Sequence, residues 1–210
     1  MTRFLSLGEI MVEMAPAPQN PGLFRLGYAG DTFNTAWYAP RLLPSTRTVS
    51  YVTVLGEDAM SDDLARFIGA QGMSNDAIRR HPTRTPGLYM IQTREGERSF
   101  SYWRGQSAAK RMAEDLKWLD SALKGRDMIH FSAITLAILP PKSREFFCGA
   151  LARARSKGAI VSFDTNLRPA LWESVEAMKA GAVDFLLRGV PAQREPQGSH
   201  GVLQRHLHGL

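Results

Sequence analysis

An α/β protein, with a parallel sheet covered by helices on both faces, is the fold class that three observations predict. Apolar runs of strand length alternate with amphipathic helical stretches from residue 4 to about residue 168. The spacing of that alternation is the spacing of βαβ units, which bring successive strands into one parallel sheet. One pair of strand-like runs breaks the alternation. "GLYMIQT" and "RSFSYWR" flank "REGE" and predict a small antiparallel hairpin, about residues 87–105, standing off the sheet.

The elements follow in order. "FLSLGEIMVEM" (4–14) reads as one strand, broken by Pro16, Pro18 and Pro21. "DTFNTAWYAPRLL" reads as a helix with Asp31 as a plausible N-cap. Phe33, Ala36, Trp37 and Leu43 stand at helical spacing, and Pro40 limits the regularity. "VSYVTVLG" (49–56) is rich in β-branched and aromatic residues and predicts a strand. "SDDLARFIGAQG" (61–72) predicts a helix capped by Ser61 and closed by Gly72, with Leu64, Phe67 and Ile68 on one face. After the hairpin come the helix "MAEDLKWLDSALKG", the strand "DMIHFSAI", the helix "PKSREFFCGALARARSKG" and the strand "AIVSFDTN".

Composition narrows the class of function. With 44% hydrophobic and 22% charged residues, the 210-residue chain is that of an ordinary globular protein. Glu9 and Glu13 interrupt the first apolar run, so it predicts neither a signal peptide nor a membrane span. A single cysteine, Cys148, permits no intrachain disulfide and fits a reducing cytoplasm. The net charge of +6 is scattered rather than striped, and no nucleic-acid-binding signature accompanies it. An anionic small substrate suits such a surface better. From about residue 183 periodicity is lost, and Gly, Pro, Gln, Arg and His predominate. His200, His206 and His208 fall there without an acid or thiol to complete a metal site, so an unstructured tail is expected and no metal.

Three clusters could carry chemistry. In "GYAGDTFN", Gly30 lets backbone approach a ligand, and Asp31 and Asn34 could take hydroxyls; a plain strand-to-helix turn capped by Asp31 is the competing reading. On the hairpin, Tyr89, Tyr102 and Arg104 suit a polyhydroxylated carboxylate, because a guanidinium grips a carboxylate bidentately. The competing reading there is an exposed aromatic edge strand. "FDTNLRPALW" follows a buried strand, where ligands gather in open parallel sheets. Its Asp164, Asn166 and Arg168 alternate and would point one way if the strand persisted past Pro169's influence.

Taken together, "GEIMVEM", "AGDTFNTA", "YVTVLGED", "PGLYMIQT", "GERSFSYWR", "LAILPPKSRE" and "FDTNLRPALW" resemble, in order, the ribokinase family of carbohydrate kinases. "SYWR" with "FDTNLRPALW" resembles a sugar-acid branch of it. The resemblance implies a ribokinase-like fold over residues 1–182, with the hairpin as a lid over the sugar and a surface for homo-oligomers. It implies ATP and Mg2+ as cofactors, and phosphorylation of the terminal hydroxyl of a 2-keto-3-deoxy sugar acid. Carried over position by position, the substrate set is Gly30, Asp31, Asn34, Tyr89, Tyr102, Arg104 and Arg168, with Asn166 towards the phosphates. Asp31 then stands in the early Gly-Gly-Asp run that lines the sugar, with Ala29 in place of its first glycine, and not in the late Gly-Ala-Gly-Asp turn that carries the catalytic base. No such late turn occurs in these residues, so no catalytic residue is assigned. The resemblance implies a chain cut short or shifted out of frame after about residue 182, incomplete at its C-terminus and of doubtful activity. Another sugar kinase of the same fold, or a non-catalytic sugar-acid-binding remnant, is the alternative.

Overall fold

A computed structural model describes residues 3–20, 22–95 and 97–181. The chain opens with β1 (Arg3–Leu7), β2 (Met11–Pro16), β3 (Phe24–Ala29) and α1 (Asp31–Leu42). It continues with β4 (Thr48–Val52), β5 (Val54–Gly56), α2 (Ala59–Ala70), β6 (Arg79–His81), β7 (Leu88–Arg94) and β8 (Glu97–Trp103). Then come α3 (Leu116–Leu123), β9 (Met128–Ser132), α4 (Ala133–Ile138), α5 (Pro141–Ser156) and β10 (Ile160–Asp164). The expected disordered tail at 183–210 lies outside the described residues.

Four strands form the core sheet in the order β10-β9-β1-β4, every pair parallel. Because both faces are covered, its strands read as nearly continuous apolar runs. In β1, Phe4 faces the layer of α1 and α2, where Phe33, Ala36, Tyr51, Leu64 and Ile68 are buried. Leu5 and Leu7 sit in the opposite layer with Ile129, Phe131, Leu136, Phe147 and Leu151, from β9, α4 and α5. Phe33 meets Tyr51 edge-on at 5.4 Å and Phe131 meets Phe147 at 5.4 Å, so each layer is pinned to the sheet by an aromatic pair. The predicted parallel sheet with helices on both faces is the fold observed.

The lid exceeds the expectation. The predicted hairpin is present as β7 and β8, turning at Glu95 with φ 53°. It is half of a four-stranded sheet, β3-β2-β7-β8, in which two antiparallel hairpins are joined by a parallel β2–β7 pair. The run 4–14 is therefore two strands in two sheets, split at Gly8–Ile10, rather than one. Residues 49–56 divide likewise, since β5 leaves the core sheet to pair with β6. Helix starts also shift. Gly30, not Asp31, is the N-cap of α1, and α2 begins after Asp58, whose carboxylate accepts from the Ser61 N–H at 3.1 Å. The stretch 112–125 is helical only over α3, where Asp115 accepts from the Trp118 N–H. In α2 and α3 an Asp three residues ahead of a free N–H captured the cap, whereas Gly30 caps α1 with no side-chain hydrogen bond.

Candidate functional site

Eight sequence-predicted residues rim one cleft of about 240 Å³: Gly30, Asp31, Asn34, Tyr89, Tyr102, Arg104, Asn166 and Arg168. Glu9, Met11, Ala29, Phe100 and Ile134 complete its wall. The cleft lies beyond the carboxyl ends of β9 and β10, where an open parallel sheet leaves room for a ligand, and the lid sheet forms its other side.

Asp31 is the first residue of α1, and its carboxylate ties three elements together. Oδ1 accepts from the Thr32 N–H at 2.8 Å, while Oδ2 accepts from Ser132 Oγ at 2.5 Å and from Asn166 Nδ2 at 3.5 Å. The start of α1 thereby meets the ends of β9 and β10. Asn166 was expected towards the phosphates and here leans on Asp31. Strand β10 stops at Asp164, so Asn166 and Arg168 reach the cleft from an irregular stretch and not by strand alternation. Below Ser132 on β9, His130 is buried with Nδ1 3.1 Å from Ser162 Oγ, and burial lowers its pKa.

Two acids not marked by the sequence stand on the lid side: Glu9 lines the cleft, and Glu13, outside its lining, reaches Tyr89. Glu9, 3% exposed, accepts from Arg104 and from Ser107 Oγ. Glu13 accepts from the hydroxyl of Tyr89, and burial with this neighbouring carboxylate raises the phenol's pKa. The Tyr89 hydroxyl, expected on a substrate, is thus already donating to the protein, although its oxygen still accepts. Tyr102 is 53% exposed and lies 5.9 Å from the Tyr89 ring. Arg104 keeps a buried Nε with no hydrogen-bond partner among the described residues. Arg168 is exposed, and donates to the carbonyl oxygen of Leu167 at 3.0 Å. The signal that could have found the two acids is their position: both lie in an otherwise apolar run, where a carboxylate needs a partner.

Gly30 shows how closely the cleft is built. A Cβ there would collide with the main-chain carbonyl of Glu9. Gly30→Ala is therefore expected to cost about 1–3 kcal/mol, the usual penalty of overpacking, and to displace Asp31. Urea unfolding of the variant checks it.

An open parallel sheet with a polar cleft beyond its strand ends, closed over by a separate strand layer, is a ribokinase-like architecture. The chain belongs to the pfkB family of carbohydrate kinases, whose sequence profile matches residues 1–187. It is 37% identical over 180 residues to a 2-dehydro-3-deoxygluconokinase of Haemophilus influenzae, covering 84% of this chain and 57% of that one. A 2-dehydro-3-deoxygluconokinase of Dickeya dadantii is 38% identical over 184 residues, covering 86% of this chain and 58% of the relative. The crystal structure of a fructokinase from Xylella fastidiosa matches with TM-score 0.76 at 27% identity, over 90% of this chain and 60% of that chain. The chain thus spans less than two thirds of the length of each.

Proposed function

We propose that the cleft is the acceptor side of a sugar-acid kinase site and takes 2-keto-3-deoxygluconate, whose terminal hydroxyl is phosphorylated from ATP. One observation carries this reading: two guanidinium groups, Arg104 and Arg168, rim the same cleft as Asp31 and Asn34. A polyhydroxylated carboxylate needs both kinds of partner. Arg168 and the guanidinium of Arg104 offer donors to the carboxylate, and charge-assisted hydrogen bonds are the strong ones. Asp31 accepts from hydroxyls, Asn34 both donates and accepts, and the rings of Phe100 and Tyr102 shield the carbon chain from water. The likeness to two 2-dehydro-3-deoxygluconokinases supports the same substrate.

A neutral hexose is the second reading. It is favoured by Glu9, which neutralises Arg104, and by the likeness to a fructokinase. Calorimetric titration with 2-keto-3-deoxygluconate and with fructose separates the two. Tighter binding of fructose would sink the sugar-acid assignment.

ATP use is supported by the Xylella fructokinase, which has also been crystallised with ATP bound. Mg2+ would accompany the nucleotide and neutralise phosphate charge. Asn166 is the cleft residue expected on the nucleotide side, and one amide hydrogen-bonded to Asp31 does not fit a nucleotide by itself. In this reading the described residues serve acceptor binding, and no ATP site is assigned among them. A polypeptide of these 210 residues alone contains no Gly-Ala-Gly-Asp run. It is expected to bind the acid without phosphorylating it at ordinary kinase rates of ~1–100 s⁻¹, as a coupled ADP-release assay would read.

The lid also suggests self-association as homo-oligomers. Leu23 and Leu26 at the β3 edge, and Phe100, Tyr102 and Trp103 on β8 at the other edge, are exposed apolar groups that a second copy would cover. Light scattering is expected to show mass rising with concentration; a monomer throughout the range would remove the idea.

A further inference from the structure

The lid sheet joins the core through four chain crossings, and all four meet at Glu9. The first crossing, between β1 and β2, contains Glu9 itself. The second, from β3 into α1, passes Gly30, whose backbone lies so close to the Glu9 carbonyl that no side chain fits between them. The third enters β7 through Gly87; a Cβ there would lie 2.9 Å from Glu9 Oε1 and 3.1 Å from Arg104 Cβ. The fourth leaves β8 through Arg104 and Ser107, and both donate to the Glu9 carboxylate, Arg104 to Oε2 and Ser107 to Oε1.

We propose that Glu9 is the hinge pin of the lid and a positioning residue for the site, acting on the ligand through Arg104. The reasons are geometric and electrostatic. A carboxylate this deeply buried holds its place only when charge-paired and hydrogen-bonded, so whatever supplies its donors is held with it. Here the donors belong to the chain that returns from the lid, and one of them is the arginine at the cleft. Glu9 holds one nitrogen of that guanidinium, Nη2, and thereby fixes how the rest of the group meets the cleft. The setting of the lid and the orientation of Arg104 are thus one degree of freedom.

Glu9→Gln tests this, because its amide sets a donor against one of the two donors without changing shape. Amide hydrogen exchange in β7 and β8 is expected to quicken about tenfold relative to β9, as the lid opens locally. Equal exchange in lid and core relative to the native protein would overturn the proposal. The ligand arm rests on the sugar-acid reading above. There, Glu9→Gln is expected to weaken 2-keto-3-deoxygluconate binding about tenfold, and to add nothing in an Arg104→Gln background, since residues in one network are not additive. Additive losses, or undiminished binding by Glu9→Gln, would also overturn it. If the native chain binds no sugar acid, the substrate reading fails and hydrogen exchange alone decides the hinge. Should Glu9→Gln not fold, Glu9→Asp keeps the charge but shortens its reach by one methylene. The same quickened lid exchange is expected from it, and native exchange would refute the pin.

Discussion

Arg104→Ala is expected to cost about 3–5 kcal/mol of folding stability, the penalty of leaving one member of a buried ion pair behind. The side chains of Arg104 and Glu9 are 12% and 2% exposed, so water does not replace the lost partner. Against the ~5–15 kcal/mol by which domains are usually stable, such a loss brings the lid and core near unfolding together. Denaturant unfolding followed by far-UV circular dichroism reads it as a lower midpoint with little change of slope. A loss below about 1 kcal/mol would mean that the pair is solvated and the lid is held elsewhere. Loss of sugar-acid binding in this variant would say little about the ligand, since the wall of the cleft would be disturbed as well.

Arg168→Ala separates the two questions. The side chain is exposed and anchored to its neighbour's carbonyl, so its removal is expected to change stability by no more than about 0.5 kcal/mol. Its effect falls on the ligand. Losing a hydrogen bond to a charged group costs about 1.5–3 kcal/mol, roughly tenfold to a hundredfold in the affinity for 2-keto-3-deoxygluconate. A neutral sugar bound in the same cleft is expected to lose little. Calorimetry on the native and variant chains with both ligands gives four numbers, and equal losses for acid and neutral sugar would remove Arg168 from carboxylate recognition.

Much of this arrangement was legible because its signals are local. Alternating strands and helices give the core sheet, and "REGE" between two aromatic-rich runs gives the β7–β8 turn. The clusters around Asp31, Tyr102 and Asn166 fall at strand ends or on the lid, so their meeting in one cleft follows from topology once the sheet is parallel. What stayed hidden depends on distant partners. Glu9 and Glu13 look like charges that interrupt an apolar run, and their meaning rests on Arg104 and Tyr89, 95 and 76 residues further along the chain. The split at Gly8–Ile10 is hidden for a related reason: apolar residues flank it on both sides, so periodicity alone does not show that the strand changes sheets. Strand β3, "FRLGYA", carries an arginine and a glycine and no β-branched residue, and it is a strand because β2 pairs with it.

The parallel pairing of β2 with β7 has a consequence for the order in which the molecule comes together. Each lid hairpin can close over a few residues of its own, but an isolated two-stranded ribbon is marginal in water. Their union must bring together positions as far apart as Glu13 and Tyr89, 76 residues along the chain. Closing so long a loop costs entropy before any pairing repays it, and such non-local contacts slow folding. The intervening chain includes α1, β4 and α2, so packing those elements on β1 is what shortens the search. The wall that bears Tyr89 and Tyr102 is thus expected among the last parts to be assembled. Binding of the proposed sugar acid would then report completion: a chain could bury much of its core and still have nowhere to hold it.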